Sequence, residues 1–282
     1  MRFTSFAARF SSLGDALEYI LGRFYLVRRL RRLFLVFSRA SCRHRQTLDS
    51  VFLSRHKSAP AILAELRANA ISSGLALSDD VLFELFSRIN SSTAFIHGTS
   101  RLLDSVEDAR SLNRVGSEEK ILIIDHRSPA LDSLALEIAR DPFLFDIASS
   151  YLGAVTDIEA RIQTSLVVQA TDDYRESRFQ TVMFHYDVAG YNFLYCFFYL
   201  SPTDELSGAH EMVIGSHRHK RLDFLFSSAR QPTRVVYQYY QGKSMVVKGD
   251  VGAGFFEDTS CYHRALPPVD KERICLQLRY KG

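Results

Sequence analysis

Phe184-His185-Tyr186-Asp187 places an imidazole and a carboxylate two residues apart. Side chains two apart on a strand share a face, so His185 and Asp187 can hold two positions on one metal ion. A third ligand would complete a facial triad and leave positions open for substrate and oxygen. His-x-Asp also recurs by chance, and the same pair reads as a polar strand end. Tyr262-His263-Arg264-Ala265 supplies another imidazole, after Gly249-Asp250 and the run Val251 to Glu257. Pro267-Pro268 forces a turn, and a returning strand that starts at Arg273 can bring that arginine into the cavity that holds His263. An arginine facing inward is costly unless an anion pairs with it, and its planar fork suits a carboxylate. Taken alone, Arg273 reads as a surface strand arginine.

The elements that must position these residues lie in 161–282, which reads as β. Strands are expected over Ile162 to Ala170, Val182 to Asp187, Asn192 to Leu200, Ser244 to Lys248 and Arg273 to Tyr280. Asn192 to Leu200 is continuously apolar and aromatic, which predicts burial on both faces. The last strand alternates, with Arg273, Cys275, Gln277 and Arg279 on one face and Ile274, Leu276, Leu278 and Tyr280 on the other. Many short strands with turn signals predict a sandwich, jelly roll or barrel.

Residues 49–160 read as mostly helical. Ser78 is placed to cap a helix that begins at Asp79-Asp80 and carries the stripe Leu82, Leu85, Phe86 and Ile89. Asp141-Pro142 is an N-cap followed by proline at the first helical position, with Gly153 as the stop. The domain reading is therefore a basic arm over 1–48 and one domain over 49–282, made of a helical part (49–160) and a β part (161–282).

The 282 residues are 46% hydrophobic and 24% charged, a globular composition that excludes disorder and a coiled-coil rod. Cys42, Cys196, Cys261 and Cys275 include no CxxC pair, which disfavours a zinc knuckle and excludes a disulfide scaffold. They fit a reducing compartment, and a cytoplasmic location is expected. The net charge of +3 hides an asymmetry: residues 1–45 hold ten arginines and no lysine against Asp15 and Glu18. Arg23, Arg28, Arg29, Arg31 and Arg32 interrupt Tyr19 to Phe37, the best candidate for a membrane span. Ile20, Phe24, Val27, Leu30, Phe34 and Phe37 recur at helical spacing there. The arm thus reads as a helix packed on the body, a membrane-surface helix, or an Arg-rich targeting segment that would send the protein to an organelle. Nucleic acid is not an expected partner, because the body is acidic.

Taken in order, His185-x-Asp187, Gly215-Ser216-His217-Arg218, Gly249-Asp250, His263 and Arg273 resemble the phytanoyl-CoA dioxygenase family of Fe(II)/2-oxoglutarate-dependent oxygenases. Asp141-Pro142 through Tyr151-Leu152-Gly153 resembles that family's helix before the first core strand, so the resemblance spans about 141–282. It implies an α+β fold built on a double-stranded β-helix, a jelly-roll of cupin type, with N-terminal helices packed on it. It implies His185, Asp187 and His263 as iron ligands and Arg273 on the distal carboxylate of 2-oxoglutarate, with Phe197 near the wall of that pocket. The implied cofactors are Fe(II), 2-oxoglutarate and O2, and the implied reaction is hydroxylation of a small organic or acyl, lipid-like substrate with release of succinate and CO2. Related halogenases carry a small residue where Asp187 stands, so the carboxylate favours hydroxylation. His217 matches a structural loop, and His210 and His219 match no ligand position and are expected to be exposed.

Tyr186 departs from the glutamine of many members, no proline precedes Gly215-Ser216, and the chain has no tryptophan. The sequence stops two residues after Tyr280, so no C-terminal cover over the barrel is expected. The alternative is a non-catalytic metal- or ligand-binding β-helix protein. A shared fold fixes neither substrate nor oligomeric state.

Overall fold

The computed structural model describes residues 13–38, 50, 52–114, 120–179 and 181–282. Two helices come first, α1 (Leu13–Leu21) and α2 (Tyr25–Ser38). The expected run over Tyr19 to Phe37 is therefore broken at Gly22, where a Cβ would run into the Gly190 carbonyl oxygen. The rest of the 1–48 arm lies outside the described residues. No helix among those described is long and apolar enough to cross a membrane.

Next come β1 (Leu53–Arg55), α3 (Ala59–Asn69), β2 (Ile71–Leu77), α4 (Asp79–Asn90), β3 (Thr93–Ile96), β4 (Leu102–Leu103), α5 (Val106–Asn113) and β5 (Ile123–Arg127). Five strands lie among the helices expected over 49–160. They are three to seven residues long, or two in β4, too short to show a period, and β2 interleaves Ser72, Ser73 and Gly74 among its apolar residues. Helices α6 (Pro129–Ala139) and α7 (Pro142–Leu152) follow. The Asp141 carboxylate accepts from the backbone N–H groups of Phe143 and Leu144, as an N-cap should. Gly153 ends α7 at φ 95°, and a Cβ there would sit 2.5 Å from the Arg32 carbonyl oxygen. Ser78 does precede α4, but its side chain makes no capping bond.

The remaining elements are β6 (Asp157–Ser165), α8 (Asp172–Arg178), β7 (Phe184–His185), β8 (Phe193–Tyr199), β9 (His210–Val213), α9 (Leu222–Phe226), β10 (Arg230–Gln231), α10 (Thr233–Tyr239), β11 (Ser244–Val247), β12 (Ala253–Glu257), β13 (His263–Ala265) and β14 (Arg273–Lys281). The first of these strands lies five residues upstream of the expected Ile162 to Ala170, and the Val182 to Asp187 strand shrinks to two residues.

One sheet runs β1-β2-β12-β8-β14-β6-β5-β3-β4 and the other β10-β7-β13-β9-β11, with antiparallel pairing throughout. From β6 to β14 the chain passes back and forth between the two sheets. In the large sheet β6, β14, β8 and β12 are neighbours, and in the small one β7, β13, β9 and β11. That winding is a double-stranded β-helix in an α+β protein, closing a jelly-roll whose N-terminal strands widen the large sheet on both edges.

Strand β14 shows how the layers divide. Ile274, Leu276, Leu278 and Tyr280 enter the main core, against Leu144, Ile147, Ile138 and other residues of the covering helices. Arg273, Cys275 and Gln277 face the cavity between the sheets. Burying the apolar face at about 25 cal/mol per Å² fixes the strand's register, so the polar face must point at the cavity.

Candidate metal centre

Strands β7 and β13 pair with His185 directly opposite His263. Their rings lie 4.3 Å apart between centroids. The Nδ1 of His185 bonds the Met183 carbonyl at 2.8 Å and that of His263 bonds the Cys261 carbonyl at 3.0 Å. A carbonyl only accepts, so in both rings the hydrogen sits on Nδ1 and the Nε2 lone pair is left for the cavity. Asp187 follows β7, its backbone N–H donating to the Thr259 carbonyl at 2.9 Å. One of its carboxylate oxygens is 3.8 Å from His263 Nε2. The donor atoms of His185, Asp187 and His263 all lie within 4.8 Å of one another. Burial, reinforced by His263, lowers the His185 pKa to about 4, so the ring is neutral at pH 7 as a metal ligand must be. Two imidazoles and one carboxylate, open on one side, suit a divalent metal such as Fe(II).

A cavity of about 180 Å³ adjoins these donors. Arg273 lies on its wall, buried, with Nη1 donating to the Gly208 carbonyl at 2.5 Å and Nη2 to Ser165 Oγ at 3.2 Å. Its Nε is buried without a protein partner, an orphaned donor that a carboxylate would satisfy. Phe197 lines the same space, stacked on Tyr195 at 5.5 Å and Phe255 at 5.2 Å. A wider, more open cavity of about 490 Å³ shares His185, Asp187, His97, Thr181 and Ile123 with it, which leaves room for a substrate beside the ligand set.

His210 corrects an expectation. It is buried, not exposed, because β9 is an inner strand of the small sheet and turns this side chain into the cavity. Its ring stacks on His263 at 5.1 Å, and Nε2 sits 2.7 Å from a Glu257 oxygen, although the contact lacks regular hydrogen-bond geometry. Burial, with Arg273 adding to it, drives His210 down to about 3; burial drives Glu257 up to about 8, so both are neutral at pH 7. Glu257 was missed in the sequence, where the signal was an acid closing the apolar run Gly254-Phe255-Phe256. His97 was missed too: Nδ1 lies 3.0 Å from Asp125, whose carboxylate also accepts from Gln163, and the imidazole borders both cavities. His217 packs behind the site, with Nδ1 3.6 Å from Cys261 Sγ, and His219 is exposed.

Fold and site together define a double-stranded β-helix protein with a His-x-Asp…His donor set and a buried arginine on one cavity. No family model matches the chain, and no curated protein matches it. Solved structures do share its fold. EvdO2 from Micromonospora carbonacea var. aurantiaca, complexed with 2-oxoglutarate, superposes with a TM-score of 0.52 at 14% identity, over 80% of this chain and 92% of its own. The epimerase SnoN, in complex with Fe3+, alpha ketoglutarate and nogalamycin RO, superposes with a TM-score of 0.51 at 15% identity, over 79% of this chain and 83% of its own.

Proposed function

We propose that this protein is an Fe(II)- and 2-oxoglutarate-dependent oxygenase that hydroxylates a small organic or acyl, lipid-like substrate and releases succinate and CO2. The observation that carries the reading is one cavity bordered by three convergent metal donors and by the unpartnered Nε of a buried arginine. Iron bound there would supply the oxidising power, coupling oxidation of 2-oxoglutarate by O2 to attack on a substrate C–H bond.

His185, Asp187 and His263 would hold the iron, each imidazole fixed by its Nδ1 bond to a carbonyl. Arg273 would bind the distal carboxylate of 2-oxoglutarate, held in place by Gly208 and Ser165. Phe197 and Phe255 would wall off water on that side. EvdO2 bound to 2-oxoglutarate and SnoN bound to Fe3+ and alpha ketoglutarate support this reading of a chain with their fold. The ordered motifs from His185 to Arg273 support the phytanoyl-CoA dioxygenase family within that class. The competing reading is a β-helix that binds metal or ligand without turnover.

The test is anaerobic. Fe(II) and then 2-oxoglutarate are added to the purified chain and to His185→Ala and Arg273→Leu. A weak visible charge-transfer band that needs both side chains supports the oxygenase. Iron bound without a band points to the non-catalytic protein.

A further inference from the structure

Helix α2 is amphipathic in an unusual way. Leu26, Leu30, Leu33, Phe34 and Phe37 share its outer face and are exposed, Phe34 by 61% and Phe37 by 79%. Leu17, Ile20 and Leu21 of α1 are also exposed. Phe226 of α9, 76% exposed, meets Phe24 at 5.8 Å, and Arg23 ties the two segments by donating to the carbonyls of Leu225 and Ser227. Soluble surfaces rarely expose so many large apolar side chains side by side.

The charge beside this stripe is all of one sign. Residues 22–38 contain five basic side chains, Arg23, Arg28, Arg29, Arg31 and Arg32, with no Asp or Glu. On one flank Arg29 and Arg32 converge with Arg67 of α3 and with Arg218 around a small pocket of about 50 Å³. Asp258 is the only carboxylate among its lining residues, and Arg28 and the Tyr151 hydroxyl already bind it, at 2.8 and 2.7 Å. Arg32 Nε is buried without a partner. Burial first, and then the Arg67 charge, pushes the Arg32 pKa down. Forked guanidinium groups around a space of this size suit a phosphate oxyanion. An apolar stripe bordered by arginines is the pattern of a helix that lies in a lipid interface.

We propose that α1 and α2 dock on an anionic phospholipid surface, with the stripe Leu26, Leu30, Leu33, Phe34 and Phe37 entering the interface and the Arg29, Arg32, Arg67 and Arg218 pocket taking a lipid phosphate. The charge complementarity selects lipid over a second copy of the chain, whose own stripe would bring arginines against arginines. The inference does not depend on the oxygenase reading.

The experiment is co-sedimentation of the full chain with vesicles of phosphatidylcholine alone and of phosphatidylcholine mixed with phosphatidylserine. The expected result is retention on the mixed vesicles that falls with added salt, and little retention on the neutral ones. Arg67→Gln and Arg218→Gln, both at exposed positions, each lower partitioning about fivefold. Phe34→Ser combined with Phe37→Ser removes it. Circular dichroism and thermal melting of each variant establish that the fold is kept. Equal retention on both vesicle types, or loss of neither pair of side chains mattering, overturns the proposal. Thermal stabilisation by inorganic phosphate without vesicle binding assigns the pocket to a soluble oxyanion and also overturns it, as does self-association through the stripe without vesicle binding.

Discussion

Arg28 Nη1 lies 2.8 Å from Asp258 Oδ1, and both side chains are buried. The pair joins α2 to the loop that leads, five residues later, to His263. Arg28 also bonds Asn192 and the Phe193 carbonyl, and Asp258 also accepts from the Tyr151 hydroxyl. A buried polar network therefore pins the N-terminal helix to the loop that leads into His263.

Removing one partner of that pair leaves the other charge buried and alone. Arg28→Met is expected to destabilise the fold by about 3–5 kcal/mol. Combined with Asp258→Asn it should cost less than the single change, since no orphan charge remains. Urea unfolding midpoints of the two variants check this; equal losses would show that the network does not couple them.

The same pair makes the protein sensitive to acid. Burial alone would raise the Asp258 pKa, but the Arg28 guanidinium overrides it, helped by His217 and by the Ser260 bond, and holds the carboxyl well below the usual range. Tyr151 and Cys261 face it as well and are neutral at these pH values. A carboxylate depressed in the native state contributes stability that is complete above its unfolded value, about 3.9, and is lost as pH falls through the native value. The expected outcome is a melting temperature that drops below about pH 4, with the part due to this pair absent in Arg28→Met combined with Asp258→Asn.

Metal binding and cosubstrate binding should separate. His185→Ala is expected to lose stoichiometric iron, measured by metal analysis after dialysis. Arg273→Leu should keep the iron and weaken 2-oxoglutarate by about 3–5 kcal/mol if the carboxylate is buried with it. Titration of the charge-transfer band measures that affinity, and an unchanged value would show that the arginine serves only Gly208 and Ser165.

Asp187→Gly tests the reaction type. It opens a coordination position and removes the one carboxylate of the set, so hydroxylation should be abolished. Succinate release and product analysis by mass spectrometry measure it. Normal turnover would remove Asp187 from the centre.

What the sequence determined on its own was local in origin. The alternation of β14 placed Arg273, Cys275 and Gln277 opposite the apolar residues, whereas the donors of His185 and Asp187 converge although β7 ends at His185, so a strand period of two is not what brings them together. Asp141 capped its helix because an N-cap needs only the next three residues. The exposed reading of His210 failed because its burial comes from the strands on either side of β9, far away in the chain. Strand β7 has two residues, too few for any pattern, and becomes a strand only by pairing with β13 and β10. Tertiary structure alone decided the contacts of Glu257 with His210, Arg28 with Asp258, and His97 with Asp125, since partners separated by 28 to 230 residues leave no mark on local periodicity. The local chain carried the chemistry of the donors, and the packing of two sheets set what surrounds them.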